Sequence, residues 1–338
     1  MSLPLFWFIV IAFLWVGYLF LEGFDLGVGM LMKLMARDEK DRRVLLNTIG
    51  PVWDGNEVWL ITVGAMTFAA FPLWYASLFS ALYIPLVIVL LGLIFRAVSI
   101  EYRGKHDSDS WRNRWDWGMA LGSFAAAFGV GAALGLTTTG LPLNENGDRV
   151  GGAFAWLTPY AVLGGVAVVA FCLIHACVFL MLKTDGQIRD RAKRIVTRWL
   201  PVGILPLAAW AIIVQFMNGK AATLPLLVIA VVGALLAWIY ARRGRDGLSF
   251  ISLGIFLVAG AATIFASMYP VVLPSTLDAA WNLTAENASA SPYALKVMSW
   301  VALFGLPVVV LYQGWTYWVF RKRVTTEAIP APHSFKPQ

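Results

Sequence analysis

Apolar runs long enough to cross about 30 Å of hydrocarbon recur along the chain, and their spacing predicts helical spans near residues 4–31, 46–71, 77–100, 117–139, 154–182, 200–218, 223–241, 249–273 and 293–319. The sixth and seventh are split only by Asn218-Gly219-Lys220. The polar gaps alternate in charge. Lys33, Arg37, Lys40, Arg42 and Arg43 follow the first span, and Arg103, Lys105, Arg112 and Arg114 follow the third. Lys183, Arg189, Arg191, Lys193, Arg194 and Arg198 follow the fifth, Arg242, Arg243 and Arg245 the seventh, and Arg321, Lys322 and Arg323 the ninth. The other gaps hold at most one basic residue each. Short basic loops are retained in the cytoplasm, so the pattern predicts nine spans with the N-terminus outside and the C-terminus inside. Eight spans would strand one basic cluster on the wrong side.

The N-terminal MSLPLFWFIVIAFLWVGYLF has neither a basic n-region nor a small-residue cleavage site, so it reads as a retained first span. The one sizeable outer loop expected is Pro274 to Pro292, which lacks Lys and Arg. Residues 326–338, with Pro330, Pro332 and Pro337, are expected to be a flexible cytoplasmic tail.

Composition agrees with the pattern. Of 338 residues, 59% are hydrophobic and 13% charged, whereas a soluble domain keeps about a quarter charged. The expected class is therefore an all-α polytopic membrane protein. The net charge of +7 lies in short loops rather than on one face of a folded domain, which argues against a nucleic-acid partner.

Candidate chemistry lies where carboxyls interrupt the apolar runs. EGFDLGVG carries Glu22 and Asp25 in the first span; GPVWDGNEVWL carries Asp54 and Glu57 in the second. At 1.5 Å per residue, antiparallel helices would bring these acids to roughly the same depth, about 12 to 21 Å from the basic side. Each pair is spaced i, i+3 and shares a helical face. An ionised carboxylate near the bilayer centre costs at least about 2.5 kcal/mol, so the four must face protein, water or a cation. One reading makes them polar glue, with Asn56, Trp53 and Trp59 supplying N–H donors. The other is proton or cation passage. Arg96 in IFRAVSIEYR is either their countercharge or an arginine snorkelling to the interface, and Glu101 follows it at i+5.

Metal and haem chemistry find little support. The three histidines are His106 in a polar loop, His333 in the tail and His175 alone in the fifth span, whereas a bis-histidine haem needs two facing ligands. His175 reads as a hydrogen-bonded core residue. Cys172 and Cys177, offset by about 140° on a helix, cannot share a metal or a disulfide.

The blocks EGFDLGVGML, GPVWDGNEVWLITVGAMTFAAFP, FRAVSIEYRGK, WRNRWDWG, SMYPVVLPS and LYQGWTYW resemble, in that order, subunit II of the cytochrome bd family of quinol oxidases. The resemblance implies a bacterial cytoplasmic-membrane terminal oxidase that oxidises quinol and reduces oxygen to water. It implies a nine-helix fold of two four-helix bundles plus one peripheral helix within a single membrane domain, 1–325. The first bundle would cover 4–139, a peripheral or linking span 154–182, and the second bundle 200–319. It further implies a haem-free chain beside a subunit I that holds haems b and d, a structural quinone in some members, and possible small single-span subunits. Carried over by position, Asp54 after Trp53 is the aspartate of a cytoplasmic proton path, with Asp25 beside it. Glu22 matches an acidic position of the family, Glu57 stands where some relatives have Gln, and Arg96 matches the family's arginine but precedes Ala97 where some relatives have Pro. Two other readings of the same residues stay open at the level of sequence: a cation-coupled secondary transporter, and a purely structural membrane subunit.

Overall fold

Polar residues bracket the apolar runs and start the helices. The side chains of Ser2, Asp38, Ser108, Thr158, Asp185 and Ser291 each accept a hydrogen bond from a first-turn backbone N–H. The structure, a computed structural model, describes residues 1–325; the expected tail lies outside the described residues. Twelve α-helices follow in order among them: α1 Leu3–Leu34, α2 Glu39–Ile49, α3 Trp53–Ala70, α4 Pro72–Ala81, α5 Tyr83–Tyr102, α6 Asp109–Thr139, α7 Pro159–Lys183, α8 Gly186–Gly203, α9 Leu205–Asn218, α10 Leu224–Arg242, α11 Asp246–Met268 and α12 Pro292–Val319. Two short antiparallel strands, β1 Val271–Leu273 and β2 Leu283–Thr284, lie between the last two helices.

Eight of the described helical segments are long and apolar enough to span a membrane: α1, α5, α6, α7, the continuous α8–α9 rod, α10, α11 and α12. α3 falls outside that group because Asp54, Asn56 and Glu57 dilute its 18 residues. It nonetheless runs from the basic end of the molecule to the opposite one, where the Ala70 carbonyl accepts from Ala290 N–H at 2.9 Å.

Several expected boundaries move for local reasons. The span expected at 46–71 is broken at Gly50–Val52: Gly50 keeps helical dihedrals, but Pro51 has no N–H to continue the ladder. The span expected at 77–100 starts at Tyr83, after the separate α4. The one expected to end at 273 stops at Met268, two residues before Pro270, and Val271–Leu273 is strand. The span expected at 200–218 is the second half of a rod that begins at Gly186.

The span expected at 154–182 as peripheral or linking is α7. It packs against α1 and α6 on one side and α8, α9 and α11 on another, because small residues let backbones meet. A Cβ on Gly131 of α6 would lie 2.3 Å from the Gly164 carbonyl oxygen, and one on Gly27 of α1 would lie 2.0 Å from that of Cys172. The outlying helix is α12, in which only Leu295 and Gln313 are buried.

The basic clusters meet in one layer, as their alternation requires. Arg103 holds both Glu39 (2.6 Å) and Asp116 (2.5 Å), and Arg42 also reaches Asp116 (3.3 Å). Arg191 pairs with Asp41 at 2.7 Å, while Asp246 accepts from Arg189 at 2.8 Å and Arg323 at 3.0 Å. Partial burial of Glu39 opposes ionisation, but the hydrogen bonds and charge of Arg103, with Arg112 and Arg42, outweigh it and hold the carboxyl below its usual range. At the other end two loops interlock: Leu141 N–H donates to the Pro274 carbonyl at 3.1 Å, and Ser275 Oγ to the Leu143 carbonyl at 2.7 Å. The 140–158 loop is thus a second ordered loop beside the one expected.

Candidate functional site

Three helices converge on a buried charged cluster. α1 presents Glu22 and Asp25 from one face while Gly23 and Gly27 face α7 on another. α3 contributes Asn56 and Glu57, and α5 contributes Arg96. Arg96 Nη2 lies 3.0 Å from Glu22 Oε1, and Nη1 donates to Glu57 Oε2 at 3.1 Å. The contact to Glu22 has ion-pair distance without hydrogen-bond alignment, so neither Glu22 oxygen has a hydrogen-bond partner among the described residues. The guanidinium carbon is 5.9 Å from the centre of the Trp53 ring.

A second, amide-based layer adjoins these charges. Asn56 Nδ2 donates to Asp25 Oδ2 at 2.6 Å, while Asn56 Oδ1 accepts from Gln313 Nε2 and from Tyr317 Oη, each at 2.8 Å. Glu22, Asp25, Asn56 and Arg96 are fully buried. The Glu57 side chain is 19% exposed, so of the three clustered acids it alone touches the surface. Three carboxyls around one guanidinium would leave two negative charges unbalanced if all were ionised. Full ionisation of such an arrangement is costly in a buried setting.

Two of the acids expected here lie elsewhere. Asp54 occupies the exposed first turn of α3, where its carboxylate accepts from Gly55 N–H at 2.8 Å. Its i, i+3 relation to Glu57 leaves about 60° between them, enough to put one on the surface and the other inside. Glu101 is also exposed, near the end of α5. Arg96 is the countercharge and not a snorkelling residue, being buried with two carboxylates. Trp59 packs its ring on Gly17, where a Cβ would lie 2.2 Å away, and against Phe13. Gln313 and Tyr317 were not anticipated as site residues; their signal was a polar pair inside LYQGWTYW in an otherwise apolar run.

His175 lies outside this cluster. Its Nε2 is 2.8 Å from the Phe20 carbonyl oxygen, and its ring stacks with Phe171 and Phe250. Its other ring nitrogen, Nδ1, is buried without a hydrogen-bond partner among the described residues. Cys172 and Cys177 are free, buried thiols.

A many-helix membrane chain with an acid–arginine cluster at its centre defines a class, and comparison with known proteins narrows it. Residues 3–320 match the family model described as cytochrome bd terminal oxidase subunit II. Over 324 residues the chain is 41% identical to cytochrome bd ubiquinol oxidase subunit 2 of Bacillus subtilis (strain 168), covering 94% of this chain and 96% of that one. It is 33% identical over 361 residues to cytochrome bd-I ubiquinol oxidase subunit 2 of Escherichia coli (strain K12), covering 96% and 95%. The fold matches a chain from the structure of bd oxidase from Geobacillus thermodenitrificans with a TM-score of 0.78 at 18% identity, over 95% of this chain and 100% of that one. The chain belongs to the cytochrome bd terminal oxidase subunit II family.

Proposed function

We propose that this chain is the haem-free subunit II of a bacterial cytochrome bd-type oxidase, in which a complex oxidises quinol and reduces oxygen to water. The full-length match to ubiquinol oxidase subunits supports the complex. The chain alone carries no catalytic residue in this reading. Haems b and d reside in subunit I, which this chain stabilises, and small single-span subunits and membrane lipid complete the assembly. The chain crosses the membrane nine times, α3 included, with the basic layer in the cytoplasm and the N-terminus outside.

The proposed contribution of this chain to the reaction is a proton path. The observation that carries it is the shared guanidinium of Arg96 between Glu22 and Glu57, beside Asp25. Electroneutrality is met with one carboxylate and two carboxylic acids, so the cluster holds protons that can move when an electron changes the charge nearby. Glu57 is its surface-connected member. Asp54 is an outer carboxyl at the boundary with subunit I, and Trp53 closes the packing over Arg96. Glu101, remote from the cluster, belongs only to the charged surface from which protons are drawn. A structural quinone would find an apolar berth of about 870 Å³ between α3, α4, α5 and α6, lined by Leu60, Phe68, Phe79 and Leu86 among others.

The experiment is quinol-driven oxygen consumption per haem in the purified complex, across pH, for Asp25→Asn and Asp54→Asn. Removing a relay carboxyl slows general acid–base transfer by about 10² to 10⁴-fold, so an assembled Asp25→Asn complex should turn over slowly with an altered pH profile. Full turnover at every pH would leave the cluster a purely structural role. The transporter reading predicts a chain purified without haem-bearing partner, and so the same preparation tests it.

A further inference from the structure

The basic layer is uneven in a way that membrane orientation does not explain. In the first half of the molecule, residues 33–43 and 101–116 hold nine Lys and Arg against seven Asp and Glu. In the second half, residues 183–198 and 242–246 hold nine against three. Topology is set by Lys and Arg, with Asp and Glu contributing little, so both halves satisfy it equally. What differs is the number of acids left to neutralise them.

The excess converges on one corner. Among the described residues, Lys193, Arg194, Arg198, Arg242, Arg243 and Arg245 have no carboxylate within ion-pair distance, whereas the neighbouring Arg189 and Arg191 are paired. α8 and the α10–α11 turn bring these six together. Trp238 Nε1 donates to the Thr197 carbonyl at 2.9 Å, which ties α10 to α8. The turn passes Gly244 at φ +70°, and Lys193 Nζ lies 3.4 Å from where a Cβ there would sit. Tryptophan marks the level of the corner: Arg242 lies 4.9 Å over the Trp238 ring and Arg198 5.4 Å over that of Trp199, as expected in the interfacial belt where indoles meet headgroups. Within two helical turns, Trp199, Val202, Leu235 and Ile251 are exposed and apolar.

We infer that this corner of α8 and the α10–α11 turn binds the headgroup of an anionic phospholipid, with its acyl chains lying along the exposed apolar residues of α8, α10 and α11. Charge complementarity selects the class: six unpaired cations next to an apolar wall suit a phosphate that carries hydrocarbon. A zwitterionic headgroup would bring its own cation to the same corner. Free phosphate would lack the apolar contacts.

The test uses the assembled complex in detergent, with bound lipid counted by native mass spectrometry after equal additions of phosphatidylglycerol and phosphatidylcholine. Phosphatidylglycerol should be retained about tenfold better, and higher ionic strength should weaken this preference in the wild type. Arg243→Gln with Arg245→Gln, both exposed and unpaired, should remove most of the preference. Lys40→Gln with Lys105→Gln, exposed in the balanced half, should leave it intact. Equal retention of both lipids, equal loss in the two double variants, or full displacement by inorganic phosphate would each overturn the inference. The wild-type salt titration reads the site even if a double variant assembles poorly.

Discussion

Arg96 is the residue on which the buried cluster depends, because it is the single cation facing Glu22, Asp25 and Glu57 among the described residues. Replacing it by Leu leaves buried acids without a counterion, and breaking a buried pair in this way costs about 3 to 5 kcal/mol. Arg96→Leu should therefore reduce the yield of assembled oxidase, measured as haem per complex in purified membranes, while Arg96→Lys should restore part of it. Glu57→Gln is a different case. An amide at 57 can still accept from Arg96 Nη1 but no longer carries a charge, so assembly should survive and turnover should fall less than in Asp25→Asn, since the resemblance puts Gln at this position in some relatives; a loss as large as that of Asp25→Asn would contradict this. Glu39 supplies a pH dependence outside the membrane. Its carboxyl is held below the unfolded value by Arg103, so the stabilisation is present at neutral pH and is lost as pH falls through the folded value. Comparing thermal stability of wild type and Glu39→Gln, the difference should be present at pH 7, shrink as pH falls below the unfolded carboxyl value of 4.5 and vanish below the still lower folded value; a gap that persists where the carboxyl is protonated in both states would contradict this account.

At the scale of elements, the central contact is α1 against α7. Gly27 permits it, since a side chain there would strike the Cys172 backbone and the Ala176 side chain. Gly27→Ala should cost about 1 to 3 kcal/mol through overpacking, whereas Gly305→Ala in α12, with nothing within 4 Å, should be neutral or gain about 0.5 to 1 kcal/mol of helix propensity. Thermal unfolding of the purified complex compares the two, and equal effects would refute the packing argument. α12 itself is held mainly at its ends and through Gln313. Trp7 Nε1 donates to the Leu295 carbonyl at 3.2 Å, and Val324 N–H to the Lys183 carbonyl at 2.8 Å. Between those ties an apolar groove of about 600 Å³ separates α12 from α1 and α3.

At the scale of the whole molecule, the proposed orientation predicts that a reporter fused after Arg43 or Arg194 is cytoplasmic and one inserted within 279–291 is external; the reverse would overturn it. Much of this architecture was legible from the chain alone, for a physical reason. Apolar length and the placement of Lys and Arg are one-dimensional properties, so most of the long apolar helices and the common layer of the basic clusters could be read by counting. The blocks around Asp25, Trp53 and Arg96 likewise carried the family. Pairing was not legible. A membrane helix is apolar on its lipid face and its protein face alike, so nothing in the hydropathy of α7 distinguished a buried helix from a peripheral one. Likewise, i, i+3 spacing could not decide that Glu57 turns inward to Arg96 while Asp54 stays outside, because α3 begins at Trp53 and its rotation is set by packing against α1. Composition and the order of polar residues determined that this is a many-spanning membrane chain with acids at its centre. Only the tertiary structure decided which acids meet, since that depends on helix rotation and close approach, which are set by contacts distant in sequence.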